Sequence, residues 1–266
     1  MIVFGSRMYG RKHLVKGWGY CEACATYGKH ISYTGRKWGH LYFIPLIPLG
    51  SRMRVMKQCK SCSNGVHIPE KDVPTTLNEL RQRTDRALAA LIAGQKEFDD
   101  NGTMMPCSAS LVGAIELLYC MSAQDYVRLV LAALEEKGLT YTYHLVRGEA
   151  VEFEGKPGEA AGAYKLAADC EPTETLPLMA LGAVHLNGGD LEDARAVYEK
   201  ALELSDDKFG VLRVLLKVYG ALKDHAKLAE TYEACFTLVP ELAQDKKSVK
   251  AYKKACKKAG KQPALK

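Results

Sequence analysis

At 266 residues, with 47% hydrophobic and 26% charged side chains, the chain has an ordinary globular composition and room for one large or two smaller domains. No apolar run approaches the roughly 20 residues that cross a bilayer, and the opening MIVFGSRMYGRKH lacks the continuous apolar core of a signal peptide, so a cytoplasmic setting is expected. The net charge of +6 hides a division: residues 1–74 sum to +9, residues 75–242 to −11 and residues 243–266 to +8, which points to anionic partners for the two ends.

The first 68 residues read as a separate module. Cys21-Glu-Ala-Cys24 and Cys59-Lys-Ser-Cys62 supply four thiolates, the tetrahedral set that a structural zinc ion takes, and each two-residue gap lets both sulfurs face one ion. A redox dithiol couple is the competing reading of such pairs. The other five of the nine cysteines fall on predicted helices, an odd total that suits reduced thiols better than a disulfide framework. Between the pairs, Lys37–Phe43 and Arg52–Lys57 are expected as strands with Gly50-Ser51 turning between them, and Val66–Ile68 as a short strand after the second pair. In Phe43-Ile-Pro-Leu-Ile-Pro-Leu-Gly50 the two prolines exclude a helix, and Ile44, Leu46, Ile47 and Leu49 are expected to form the small core of the module, with a partner site as the competing reading. His13, His30, His40 and His67 are expected as surface or strand histidines outside a shell that four sulfurs already complete.

Taken together, Trp38, the FIPLIPLG run and the paired C-x-x-C motifs resemble an uncharacterised family of small zinc-ribbon proteins, over about residues 1–70. The resemblance implies one structural Zn²⁺ held by Cys21, Cys24, Cys59 and Cys62. Cys24-Ala25 departs from the Pro and Gly usual at such knuckles. A closed four-sulfur shell offers no Lewis-acid position and serves to stabilise a fold too small to stabilise itself. The module is also basic. Arg36, Lys37, Arg52, Arg54, Lys57 and Lys60, interleaved with aromatics such as Trp18 and Trp38, could contact phosphates and stack on bases; solvated strands with inward aromatics are the plainer reading.

Residues 69–76, polar and bounded by prolines, are expected as a linker. Residues 77–140 follow as a helical region. Thr76-Leu-Asn-Glu79 has the capping-box spacing before Leu77, Leu80, Leu88, Leu91 and Ile92, and Asn101-Gly102 ends that helix. Residues 107–140 then suggest a degenerate helix pair with apolar faces at Leu111, Ile115 and Leu118 and at Val127, Val130 and Leu134.

Residues 141–242 repeat every 34 positions, from Tyr141, Thr175 and Phe209. Small residues Ala160, Ala194 and Leu228 are each followed four later by Tyr164, Tyr198 and Tyr232, then three later by Ala167, Ala201 and Cys235. The first-helix slots hold Arg147-Gly148, Leu181-Gly182 and Leu215-Leu216. This pattern resembles the tetratricopeptide repeat, although its Trp slot holds His144, Leu178 and Leu212. The resulting expectation is a mainly α protein: a TPR-like right-handed helical solenoid with a small β-rich zinc ribbon at its N-terminus. Residues 243–266 are expected as a Lys-rich capping helix, with Val249, Tyr252, Cys256 and Ala259 on its packed face.

The resemblance also implies a peptide groove. Its slots hold Leu145, Glu149, Glu152 and Phe153 in the first repeat, Leu176, Met179, Ala183, Leu186 and Asn187 in the second, and Arg213 and Lys217 in the third. Glu149 and Glu152 stand where repeats that clamp a C-terminal carboxylate carry Asn, so an anionic tail is excluded and a peptide with an apolar centre expected. No nucleophile–base pairing, phosphate-cradling glycine loop or open metal site is legible. The chain therefore reads as a non-enzymatic interaction adaptor; the alternative is a nucleic-acid-binding protein that uses the basic ribbon and the Lys-rich C-terminus.

Overall fold

Strand formation runs further along the N-terminal module than its alternation suggests. In the computed structural model, which describes residues 4–21, 23, 26–41 and 44–264, strands β1 (Phe4–Cys21), β2 (Thr26–Leu41), β3 (Ile44–Cys59) and β4 (Val66–Pro69) form an antiparallel sheet in that order. β1 was not anticipated as a strand. Gly50-Ser51 is not the expected turn. Arg36 pairs with Arg52 and Lys37 with Leu49, so Gly50 and Ser51 form a bulge within β3, and Gly50 takes the positive φ of 76° that the bulge requires. The chain reverses instead between Leu41 and Ile44, which pair; residues 42 and 43 lie outside the described residues.

Nor do the apolar residues of the FIPLIPLG run form a core. Ile44, Leu46, Ile47 and Leu49 are all exposed, and β4 pairs only with Met53–Met56, so the first half of β3 is also an edge among the described residues. The buried apolar cluster of the sheet is Ile31, Tyr33 and Val55.

The chain divides into two units, residues 1–163 and 164–266. In the first, residues 69–76 hold the end of β4, a 3₁₀ turn (Glu70–Asp72) and the start of α1 (Val73–Ile92), with Pro74 in the first helical turn. Arg52 Nε donates to Glu70 Oε2 at 2.7 Å and ties this segment to β3. Asn101 and Gly102, both at positive φ, sit between β5 (Glu97–Asp99) and β6 (Met104–Pro106) rather than at a helix end. Next come α2 (Cys107–Cys120), α3 (Gln124–Glu136) and α4 (Thr140–Phe153). Leu111, Ile115 and Leu118 of α2 and Val127, Val130 and Leu134 of α3 bury as their spacing foretells, in one cluster with Val146 and Ala150 of α4.

α5 (Pro157–Cys170) runs through the unit boundary. The second unit continues with α6 (Thr175–Gly188), α7 (Leu191–Leu204), α8 (Lys208–Leu222), α9 (His225–Leu238) and α10 (Lys246–Ala259), each packed on its chain neighbour. Asp207, Asp224 and Asp245 cap α8, α9 and α10 by accepting from the backbone N–H three residues on. Tyr252, Ala255 and Cys256 form the buried face of α10, and the Tyr252 hydroxyl donates to Glu233 at 2.6 Å.

The aromatic of the second repeat packs directly on a first-helix glycine: Tyr198 of α7 meets Gly182 of α6. A Cβ there would come within 2.7 Å of the Tyr198 ring, so only glycine lets α6 approach α7 with the ring between them. Tyr198→Ala is expected to cost about 3 kcal/mol, read as a shift of the urea midpoint; a change under about 1 kcal/mol would show that the ring is not the spacer argued here. Among the described residues, no helix is long and apolar enough to cross a membrane.

Candidate metal centre

The sheet topology gathers the cysteines at one end. Cys21 closes β1, Cys59 closes β3, and His30 on β2 pairs with Gly17 on one side and Cys59 on the other. One donor atom each from buried Cys21, His30 and Cys59 lies within 4.8 Å of the others, a group that could hold a metal ion. Cys62 is exposed in the turn after β3, and its Sγ lies 3.6 Å from Cys21 Sγ. That separation is far beyond a disulfide bond and close to the roughly 3.8 Å between two sulfurs that share a tetrahedral zinc ion. The turn itself is built for a thiolate: Ser61 N–H donates to Cys59 Sγ at 3.4 Å, and Ser63 N–H to the Cys59 carbonyl at 2.9 Å. Cys24 lies outside the described residues. The donor set therefore fits a thiophilic ion such as zinc.

His30, expected outside the site, belongs to this group and is buried, with no hydrogen-bond partner for Nδ1 among the described residues. Burial lowers its pKa; Glu116 opposes that shift and Lys57 adds to it. The sequence signal for His30 was its cross-strand register with Cys59, which cannot be counted until the bulges are known. Glu116, from α2, meets Lys57 Nζ at 2.6 Å. Burial pulls the Lys57 pKa down, but the Glu116 carboxylate outweighs it and the net shift is upward.

The face of the sheet beside the cysteines is docked on the helices of its own unit. A Cβ at Gly17 would overlap the Phe153 ring, and one at Gly155 would overlap the Trp18 indole. Phe153 buries in a cluster with Met56, Cys120 and Met121. Tyr27 hydrogen-bonds Glu152, and burial together with the Glu152 and Glu149 carboxylates raises its pKa. Arg54, buried in the sheet, donates from Nε to the Cys120 carbonyl at 3.0 Å, from Nη2 to that same carbonyl, and from Nη1 to the His13 carbonyl at 2.8 Å. It thereby caps the last turn of α2, whose carbonyls lack helical partners and carry the negative end of the helix dipole. Burial lowers the Arg54 pKa, and a guanidinium stays charged in spite of this.

These contacts place the remaining sequence-derived residues. Of the six basic positions, Arg52, Arg54 and Lys57 are engaged with Glu70, the α2 terminus and Glu116, Arg36 donates to the Gly50 carbonyl at 2.9 Å, and Lys37 and Lys60 are exposed. Of the groove positions, Leu145 and Phe153 are buried, and Glu149 and Glu152 lie by Tyr27. Leu176, Met179, Ala183, Leu186 and Asn187 are half-buried on α6, and Arg213 and Lys217 are exposed on α8. The chain matches no family model, and no curated protein matches it significantly in sequence.

Proposed function

We propose that the protein is a non-enzymatic interaction adaptor: a structural zinc ion in the N-terminal module, and TPR-like repeats whose slots on α6 and α8 of the second unit take an extended or helical peptide with an apolar centre. The observation that supports this reading is that two α4 side chains assigned to the groove by the repeat pattern, Phe153 and Glu152, meet strands of the chain itself. Phe153 faces Gly17 of β1, and Glu152 meets Tyr27 of β2. A helix face that meets the chain's own strands through an apolar anchor and a polar contact has the chemistry for seating a peptide; on α6, Met179 and Leu186 pack against the core of the second unit and keep part of their surface exposed. Zinc would be held by Cys21, Cys24, Cys59 and Cys62 as a closed shell. When bound it supplies structural cross-linking and no open coordination site. The engagement of Arg52, Arg54 and Lys57 within the fold removes three of the six phosphate contacts that the nucleic-acid alternative relied on.

The test is a pull-down from native lysate with and without nuclease, followed by affinity against salt for the recovered partner. Met179→Glu, and likewise Leu186→Glu, is expected to weaken partner binding by about 2 kcal/mol or more through an unpaired charge in a slot the peptide desolvates; because both side chains also pack against the core of the second unit, circular dichroism of each variant separates lost binding from lost folding. Partners that vanish with nuclease, or a steep salt slope that both variants leave untouched, would overturn this reading in favour of nucleic acid.

A further inference from the structure

Two polar atoms beside the metal centre have no use elsewhere in the fold. The His30 imidazole is 3% exposed, and its Nδ1 has no hydrogen-bond partner among the described residues. Lys57 Nζ meets Oε2 of Glu116, on α2, at 2.6 Å, whereas Oε1 of the same carboxylate is buried and, among the described residues, also without a partner. Both atoms border one space. A Cβ on Gly19 of β1 would lie 3.2 Å from Glu116 Oε1 and 3.4 Å from His30 Nδ1, so the glycine keeps open the gap they share. The same imidazole reaches the cysteines: one ring nitrogen lies within 4.8 Å of the Cys21 and Cys59 sulfurs. Buried polar atoms cost free energy unless they are paired, so these two call for a partner that both can share.

We propose that His30 is a positioning residue of the metal centre: one ring nitrogen donates its N–H to the Cys21–Cys59 thiolate pair, and Nδ1 is tied through a water over Gly19 to Glu116 on α2. The inference rests on the zinc reading above, in which four thiolates complete the shell and the imidazole stands outside it. A zinc ion with four thiolates keeps a net negative charge, and its buried sulfurs are stabilised by donors. Ser61 N–H supplies one to Cys59, and His30 supplies another. The proton count closes. A neutral imidazole has one N–H and one bare nitrogen; with the N–H turned to the sulfurs, Nδ1 is an acceptor, as is Glu116 Oε1. A water over Gly19 donates one hydrogen to each, so both acceptors are satisfied by a single molecule. Burial of His30 favours that neutral form. Lys57 fixes the other oxygen of the carboxylate, so β3 reaches α2 through this ion pair and, by way of His30, through the metal centre. Partners of this kind orient the inner donors, and zinc affinity then depends on a carboxylate that the cysteine spacing does not reveal.

The experiment is zinc competition against a chelating dye with the full, reduced chain, together with absorption spectra of the cobalt(II)-loaded form. His30→Leu is expected to weaken zinc binding about 10–100-fold. Glu116→Ala should weaken it about tenfold, and Glu116→Gln, which keeps an acceptor for the water, should stay within about threefold of wild type. The double variant His30→Leu/Glu116→Ala should bind no more weakly than His30→Leu, because both changes break one link. In cobalt the four-sulfur bands should persist in His30→Leu while the sulfur-to-metal charge-transfer band moves to longer wavelength, since thiolates that lose a donor give up charge more readily. A variant that merely loosens the fold leaves the band of its bound fraction unmoved. Zinc binding by His30→Leu within about threefold of wild type overturns the proposal, and so does Glu116→Gln binding as weakly as Glu116→Ala. Wild-type cobalt bands of a nitrogen-containing shell that His30→Leu removes would make His30 a ligand and overturn it too. Wild-type protein that takes no zinc at all removes the zinc reading itself, whereas wild-type zinc with unaffected variants removes only this link.

Discussion

Replacing Arg54 with alanine is expected to lower the stability of residues 1–163 by about 3 kcal/mol or more. The guanidinium is nearly inaccessible, 2% exposed, and serves two carbonyls at once, Cys120 at the end of α2 and His13 on β1. Removing it leaves both acceptors short of a donor inside the fold, at about 1–3 kcal/mol each, and withdraws a cation from the negative end of a helix. Lys57→Ala is the comparison. Its ion pair with Glu116 keeps 33% and 19% of the two side chains exposed, and the loss should be nearer 1 kcal/mol. Urea unfolding of the two variants against wild type separates these values. If Arg54→Ala shifts stability by less than Lys57→Ala, the guanidinium is not the link between sheet and helices, and the sheet's basic residues return as candidates for a phosphate surface.

That link was not legible in the sequence, for reasons that can be located. Helical segments announce themselves through side chains three and four apart, and Leu111, Ile115 and Leu118 bury as their spacing foretells because a helix keeps its period over its whole length. A long strand does not. Bulges at Tyr9–Lys12, at Lys12–Val15 and at Gly50-Ser51 reset the alternation, so β1 carries no unbroken period-two pattern and β3 hides a bulge that reads as a turn. The FIPLIPLG run was mistaken for core on composition alone, whereas exposure depends on whether another element covers the strand. Glycine held the missing information. Gly17 and Gly155 exist as glycine because the Phe153 ring and the Trp18 indole fill the space a Cβ would need, a requirement set by residues more than a hundred positions away. The metal group was half legible: the cysteine spacing pointed to Cys21, Cys24, Cys59 and Cys62, of which Cys21 and Cys59 fall in the group that could hold an ion, and cross-strand pairing added His30.

Cys59→Ser should have the largest effect of all. Cys59 is buried at the point where β3 ends, pairs with His30 and accepts the Ser61 N–H, so its thiolate would join the two ends of the cysteine cluster. A structural zinc site in a small module supplies about 10 kcal/mol or more of folding free energy, well above what other single contacts here provide. Losing it should unfold the sheet. Because Met56 of β3 shares a cluster with Phe153 and Met121, the helices of residues 1–163 should lose stability as well, while the helical signal of residues 164–266 persists.

The most direct measurement is elemental analysis of freshly purified, reduced protein, wild type beside Cys59→Ser. The account predicts one zinc per chain in the wild type and near none in the variant. Wild-type protein with no bound metal, or with two irons and the colour of an iron–sulfur cluster, would contradict it.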